Sequence, residues 1–535
     1  MTRRRLNVVC AALVLLFGIV LCRVLWIATD TGYAVSAGAQ TVSTTALPRS
    51  RGDFFDREGR RLTGVRQQWY ALCIPGDSSY ARLFPYVPYA QQSELYDNRN
   101  SAQPFLVQVS GDLSANGIYT YPGSRRYLDA PIAPHLIGYL DGDGHGVSGL
   151  EMAYDDVLSS AADARVVACA TPAPGRRLAG PSPNVATQEA GRGQGGQLTL
   201  DAQIQRACEG IAKNGMETGC IVVADVDTAE VLASVSVPEF DPDNIQKSIA
   251  ANDTSLINRA FASFSAGAVF KVVLAAAAYE AGLDWFTHDC TGAIEVADQV
   301  YHCASGRAHG TVNLRNALEQ SCNCYFVALG QALGVQRVHD MAQRLGFGRA
   351  TAVAGGLKTE AGVLPDTDAL ENVGQLAMFS FGQGQLTVTP VQVTAMMLTV
   401  AEGGHYRPLT FVRGVVDSDT LALSEPAAAA EPERVFGSAT ARVLRSMLQS
   451  VVEEGIGAAA APAWGDAGGK TGTAQTGQFD AEGEELLNYW FSGFYPAEEP
   501  RYVITVLQDA TLEPQTSSAA VFARVADALH ALENG

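Results

Sequence analysis

A chain of 535 residues, 47% of them apolar, is too long for one core and has material for two or three domains. Its 56 acidic side chains outnumber 37 basic ones, for a net charge of −19, which repels phosphate backbones and anionic lipid heads and argues against nucleic acid as a partner. Ten cysteines in so long a chain do not make a disulfide scaffold.

At the N-terminus Thr2-Arg-Arg-Arg5 precedes an apolar run from Val8 to Ala28, broken only by Arg23. At ~1.5 Å per residue a helix of that length spans roughly 31 Å, enough to cross a bilayer. The arginines predict a cytoplasmic tail over residues 1–6, a single membrane anchor over 7–28, and the remaining chain outside the cell. A cleaved signal peptide is the competing reading, because small residues follow at Ala34-Val-Ser-Ala37, but the run is longer than a usual signal core. Cys10 and Cys22 fall inside it.

Residues 29–48 read as a linker, and 49–168 mix short strand-like runs with turns, as in a mainly β domain. A Pro/Gly-rich stretch, TPAPGRRLAGPSPNVATQEAGRGQGGQ, marks a second linker over 169–197 and places the last domain at 198–535. There Asp201 opens a helix running to Lys213. CIVVADV and EVLASVSV flank the turn Asp227-Thr-Ala-Glu230 as a hairpin. Helices are expected near 267–282, 313–320, 324–333 and 336–346. NYWFSGFY and RYVITVLQ predict a second hairpin, and AAVFARVADALHAL a closing helix. Strands from both ends around a helical middle give an α+β fold on an antiparallel sheet. EPAAAAEPE at 425–433 reads as a surface loop.

Cys290 and Cys303 bracket TGAIEVADQVYH, which reads as a hairpin; in an oxidising compartment a disulfide between them is one reading. A zinc site recruiting His302 or His309 is another, although tight C-x-x-C spacing is lacking. No metal or organic cofactor is expected.

Three short segments carry chemistry by their order and context. The first is the helix start with Lys271, where the position three residues earlier, the place for a nucleophile beside its base, is Ala268. The second is Ser321-Cys-Asn323, between two helices; the third is Lys470-Thr-Gly-Thr473, leading toward the last hairpin. A phosphate-binding loop is the rival reading of GDAGGKTGT, but that pattern needs glycine where Trp464 stands, and a helix after the lysine.

With a serine at 268, the trio would be the S-x-x-K, S-x-N and K-T-G set of penicillin-binding proteins and serine β-lactamases. Over nearly its whole length the chain resembles a class B penicillin-binding protein, a membrane-anchored peptidoglycan D,D-transpeptidase. Arg51-Gly-Asp-Phe-Phe-Asp-Arg-Glu-Gly59 resembles the family's opening motif. His135-Leu-Ile-Gly-Tyr139 with Ser148-Gly-Leu-Glu151 is similar to the end of its N-terminal pedestal, and Thr199-Leu-Asp201 with Gln205 to the start of its transpeptidase domain. Asp241-Pro-Asp-Asn244, Gly382-Gln-Gly384, Thr389-Pro-Val-Gln392 and Trp490-Phe-Ser-Gly493 also resemble family segments.

The resemblance implies a transpeptidase/β-lactamase-like domain, with helices on the sheet's faces and an all-helical subdomain, preceded by a mainly β pedestal and a transmembrane helix in a bacterial cell membrane. It implies that Ser321 and Asn323 relay protons and hold a substrate amide. Lys470, Thr471, Gly472 and Thr473 would bind a substrate carboxylate and offer a strand edge for an extended peptide. Stem peptides of peptidoglycan, a membrane glycosyltransferase and other wall-synthesis proteins are the implied partners.

Ala268 is the departure: both the serine and the proline of the family's P-G-S-x-x-K segment are replaced in Ala266-Gly267-Ala268-Val269-Phe270-Lys271. Removing such a nucleophile costs on the order of 10⁶ in turnover in a comparable serine enzyme. Ser263 and Ser265 precede the helix on the wrong side of Gly267, and Ser265 is expected to cap it. Ser321 could cap the following helix, Cys322 and Cys324 are expected to be packing residues, and Arg51, Asp56 and Arg57 a fold-fixing ion-pair cluster. The expectation is a catalytically silent member that binds stem peptides and β-lactams. The alternatives are an active transpeptidase whose serine was mutated in this sequence and, more remotely, a β-lactam sensor or β-lactamase.

Overall fold

The computed structural model describes residues 3–29, 42–46, 51–64, 66–73, 77–101, 103–142, 144–160, 164–170, 184–188, 193–251, 253–428 and 430–534. The small-residue stretch at 34–37 and parts of both expected linkers lie outside the described residues. The chain divides into two compact units, residues 1–51, 66–126 and 161–191 forming one and 52–65, 127–160 and 192–535 the other.

In the smaller unit the apolar run forms one helix, Arg3–Thr29. Its segment Asn7–Trp26 has a mean hydropathy of 2.8 and none of it is buried, so length and composition suit a membrane span. The Arg66–Cys73 strand is flanked by Phe105–Val109 and Thr120–Arg125. Alternation sends Ala71 and Cys73 into a core with Leu83, Leu95, Val107 and Val109, and Leu72 to the other face with Val167. Val42–Ala46, Ala164–Ala170 and Asn184–Gln188 make a second sheet. Strands therefore occupy part of both stretches that composition marks as linker.

The larger unit is built on a five-stranded antiparallel sheet. Its strands are β1 (Gly219–Asp225), β2 (Val231–Val237), β3 (Gly468–Phe479), β4 (Glu485–Tyr495) and β5 (Tyr502–Thr511), in the order β2-β1-β5-β4-β3. The helices that matter below are α1 (Ala202–Gly215), α2 (Lys271–Glu280), α3 (Leu314–Glu319), α4 (Asn323–Leu333), α5 (Pro390–Glu402) and α6 (Ser518–Asn534). Both sheet faces are covered, so β1 alternates between two cores. Ile221 and Val223 pack with Ala212 of α1 and Phe522 of α6. Cys220, Val222 and Ala224 face the core that holds α2 and Met396 of α5. Asp201 caps α1 through Gln203 N and Ile204 N, at 2.8 and 3.2 Å. Thr389-Pro-Val-Gln392 is a capping box that starts α5.

Residues 52–65 and 127–160, which the sequence assigns to the pedestal, pack in this unit. Phe54–Phe55 pairs in parallel with Gln194–Leu198, the Phe54 ring lying where a side chain at Gly196 would be. Buried Asp56 accepts hydrogen bonds from the backbone N–H groups of Glu58 and Arg60 at 2.9 and 2.8 Å, and from Ala202 N of α1 at 3.3 Å. Asp56 and Arg57 do form ion pairs, with Arg60 and Glu230 respectively. The long-range partners that hold this segment, Leu158 for Gly52 N, the Gln194–Leu198 strand and Ala202 N, come from more than 100 residues further along the chain.

Candidate active site

Close backbone approaches bring the first and third chemistry-bearing segments together, and the Lys271 side chain brings in the second. Ala268 lies on a 3₁₀ turn, Gly267–Phe270, that leads directly into α2. Gly267 has φ +61°, and a Cβ there would sit 2.5 Å from Thr473 O, so only glycine lets the turn lie this close to β3. From the other side, a Cβ at Gly472 would meet Val269 Cγ1 at 3.0 Å. Gly267 N donates to Gly382 O at 2.8 Å, and Trp490 Nε1 of β4 donates to Ser265 O at 3.0 Å, so the turn is held from several elements.

Lys271 is fully buried, with no carboxylate partner among the described residues. Its Nζ donates to Ser321 O at 2.8 Å, Ser321 Oγ at 3.1 Å and Asn323 Oδ1 at 2.6 Å, and lies 5.4 Å from the Phe326 ring centroid. Burial pushes its pKa down from 10.5 to about 8, against an opposing pull from the thiols of Cys322, Cys303 and Cys324. Asn323 is oriented by its Nδ2 donating to His302 O at 2.9 Å. Ser321, on the turn between α3 and α4, has φ +52°, a left-handed conformation unusual for serine. Its side chain and carbonyl both reach the lysine.

Lys470 is also fully buried, on edge strand β3, and its Nζ donates to Thr471 O and Oγ1 at 3.1 and 3.2 Å. Burial and then the neighbouring Lys271 charge hold its pKa well below 10.5. Thr473 is exposed and Thr471 half-buried along the same strand. The arrangement is two buried lysines, hydroxyl and amide groups beside them, and a strand edge that pairs with no other described strand. It suits an extended, carboxylate-bearing ligand.

All eight sequence-picked residues, Ala268, Lys271, Ser321, Asn323, Lys470, Thr471, Gly472 and Thr473, lie in the larger unit. The structure joins 271 to 321 and 323 directly, and the 267–270 turn to 472 and 473. Two capping expectations are corrected. Ser265 belongs to a two-residue strand paired with Thr387-Val388, and the 3₁₀ turn has no side-chain cap. The cap of α4 is Cys322, whose Sγ accepts from Tyr325 N at 3.4 Å, rather than Ser321. Ser263 is bound to Glu360 through both its N–H and its hydroxyl. Phe326 and Trp490 were not assigned these site contacts from sequence; Phe326, one turn from Asn323 on α4, could have been found from helical spacing.

Comparison with known proteins agrees with this geometry. The family model described as "Penicillin binding protein transpeptidase domain" matches residues 219–527. Stage V sporulation protein D of Bacillus subtilis is 30% identical over 415 residues, covering 74% of this chain and 62% of that protein. The chain thus spans about six-tenths of that relative's length. Peptidoglycan D,D-transpeptidase FtsI of Escherichia coli is 25% identical over 545 residues, covering 94% of this chain and 87% of that one. The crystal structure of penicillin binding protein 3 from Mycobacterium tuberculosis, complexed with aztreonam, superposes with a TM-score of 0.68 at 26% identity, covering 91% of this chain and 97% of that chain. The class defined by fold and site is therefore a transpeptidase-type α+β protein. The chain belongs to the penicillin-binding protein transpeptidase family.

Proposed function

We propose that this chain works in bacterial cell-wall synthesis by binding the D-Ala-D-Ala ends of peptidoglycan stem peptides, and β-lactams that mimic them, without completing acyl transfer. The observation that carries this reading is a methyl group at Ala268 beside an otherwise assembled set of groups. Lys271 is already hydrogen-bonded to Ser321 and Asn323, and Lys470 sits on an unpaired strand edge. A ligand carboxylate would meet the Lys470 ammonium and the hydroxyls of Thr471 and Thr473, and its peptide backbone would extend the sheet along β3. Lacking a hydroxyl at 268, Lys271 has no nucleophile to deprotonate and serves to hold the Ser321-Cys-Asn323 turn in place.

Residues 7–28 would anchor the chain in the membrane with its C-terminal domain outside, next to a membrane glycosyltransferase and other wall-synthesis proteins. The second reading, an ordinary D,D-transpeptidase whose serine was altered in this sequence, is favoured by the same intact surroundings. Calorimetric titration of the detergent-solubilised chain with a D-Ala-D-Ala peptide tests the binding role. Reversible binding that Lys470→Ala weakens at least about tenfold, the loss of a charge-assisted contact, is expected. Binding that ignores Lys470→Ala would remove the carboxylate site from the proposal.

A further inference from the structure

Beside the Ser321-Cys-Asn323 turn the fold gathers thiols that the sequence leaves far apart. Cys290 ends a short strand, His288–Cys290, paired with Gly310–Val312; Cys303 follows the hairpin Ala293–Val296/Gln299–His302; and Cys322 caps α4. All three are buried. Cys290 Sγ lies 3.7 Å from Cys303 Sγ and 3.4 Å from His309 Nδ1, and Cys303 Sγ lies 3.8 Å from Cys322 Sγ. The four ligand atoms are all within 4.8 Å of one another. The cysteines are free thiols, so the disulfide reading of Cys290 and Cys303 is not what the structure contains.

We propose that Cys290, Cys303, His309 and Cys322 form a structural zinc site. A tetrahedral zinc with bonds of about 2.3 Å to sulfur and about 2.0–2.1 Å to nitrogen places sulfurs about 3.8 Å apart and sulfur about 3.6 Å from nitrogen. The two sulfur–sulfur spacings, 3.7 and 3.8 Å, and the Cys290–His309 spacing, 3.4 Å, are close to these values, and the remaining pairs lie within 4.8 Å. Packing accounts for touching thiols and a hydrogen bond for Cys290 and His309 as a pair; what points to a cation is the convergence of all four ligand atoms within 4.8 Å. The loop that brings in His309 is also built: Cys303 N donates to Gly292 O at 3.0 Å and His309 N to Cys290 O at 3.1 Å. A Cβ at Gly292 would strike Gly306 O at 2.4 Å. The Tyr325 N–H that meets Cys322 Sγ is the outer-shell donor a metal-bound thiolate uses. Three thiols and a histidine select zinc over the hard cations, and binding displaces the three thiol protons into solvent as the thiolates close on the ion. The fourth thiol, Cys324, is 3.5 Å from Cys303 but is not one of the four ligands that converge. A zinc here would pin Cys322, and with it the flanking Ser321 and Asn323, to the hairpin module. It is a positioning site, and its existence does not depend on whether the chain binds stem peptides.

The full chain, purified in detergent with reductant, is analysed for metal by mass spectrometry. About one zinc per chain is expected from a site of this ligand set. Cobalt replacement should give thiolate charge-transfer and intense tetrahedral ligand-field bands. His309→Ala, at a half-exposed ligand whose loss leaves the buried thiols in place, should weaken retention against a chelator at least about tenfold, the amount that losing even an outer-shell partner costs. Cys324→Ser should retain zinc. The proposal is overturned if the parent carries no metal and Cys290, Cys303 and Cys322 titrate as free thiols or map to a disulfide. It is equally overturned if zinc is bound and His309→Ala leaves it untouched.

Discussion

Putting an oxygen back at position 268 is the most direct test of how complete the site is. Ala268 is half-buried on a 3₁₀ turn with ordinary backbone geometry, so Ala268→Ser adds one atom without strain. The absent nucleophile is worth on the order of 10⁶ in turnover, and the surrounding groups are already in hydrogen-bonding contact. With Lys271 at about 8, its neutral, proton-accepting fraction rises from about one-tenth at pH 7 to about one-half at pH 8, roughly a fivefold gain in initial rate. The assay is covalent labelling of the detergent-solubilised chain with a fluorescent penicillin, followed by mapping of the adduct. The parent should stay dark, Ala268→Ser should label at residue 268, and adding Lys271→Ala should abolish the signal. In metal-free protein the labelling rate should climb with a midpoint near pH 8; thiolates gathered on a zinc would move it upward by favouring the ammonium form. Labelling of the parent would show that another residue attacks. A folded Ala268→Ser chain that stays dark would show that the surrounding groups are not competent.

Gly267→Ala should destabilise the larger unit by about 2–4 kcal/mol, because a side chain at φ +61° is strained and its Cβ would overlap Thr473 O; urea unfolding measures it, and an unchanged midpoint would refute the packing described. Asp56→Ala should cost about 2–4 kcal/mol by leaving the N–H groups of Glu58, Arg60 and Ala202 without their acceptor, read in the same assay. His135 gives a pH signature. Buried with Nε2 2.6 Å from Ser255 O, it is held down to about 4 by burial, with Arg259 adding to the effect. Above its ordinary value near 6.5 both folded and unfolded forms are neutral; as pH falls below it the unfolded chain takes up the proton first. Stability should therefore drop by about 3 kcal/mol between pH 6.5 and 4, and His135→Gln should flatten that part of the profile.

What the sequence could disclose follows from how local each signal is. The Asp201 cap and the β1–β2 and β4–β5 hairpins are each written within a short stretch of chain, and they form as expected; the Thr389-Pro-Val-Gln392 capping box is equally local, although the sequence reading took that segment only as a family resemblance. The segment 290–303 is likewise a hairpin. The glycine in Lys470-Thr-Gly-Thr473 was legible as part of a motif, but its physical reason, the approach of Val269, comes from 200 residues away. Composition misleads at Asn184–Gln188, where a strand lies inside a Pro/Gly-rich stretch because Ala164–Ala170 supplies the hydrogen bonds. The thiols show the limit most clearly. Spacings of 13, 6 and 13 residues between Cys290, Cys303, His309 and Cys322 match no compact metal motif. A ligand set spread over a strand, two loops and a helix cap becomes visible only when the sheet pairings bring its parts together. Cys322 stands in the chain between the two residues that hold Lys271, and its Sγ is 3.8 Å from that of Cys303, so a zinc bound there would tie the hairpin to the turn that orients the lysine.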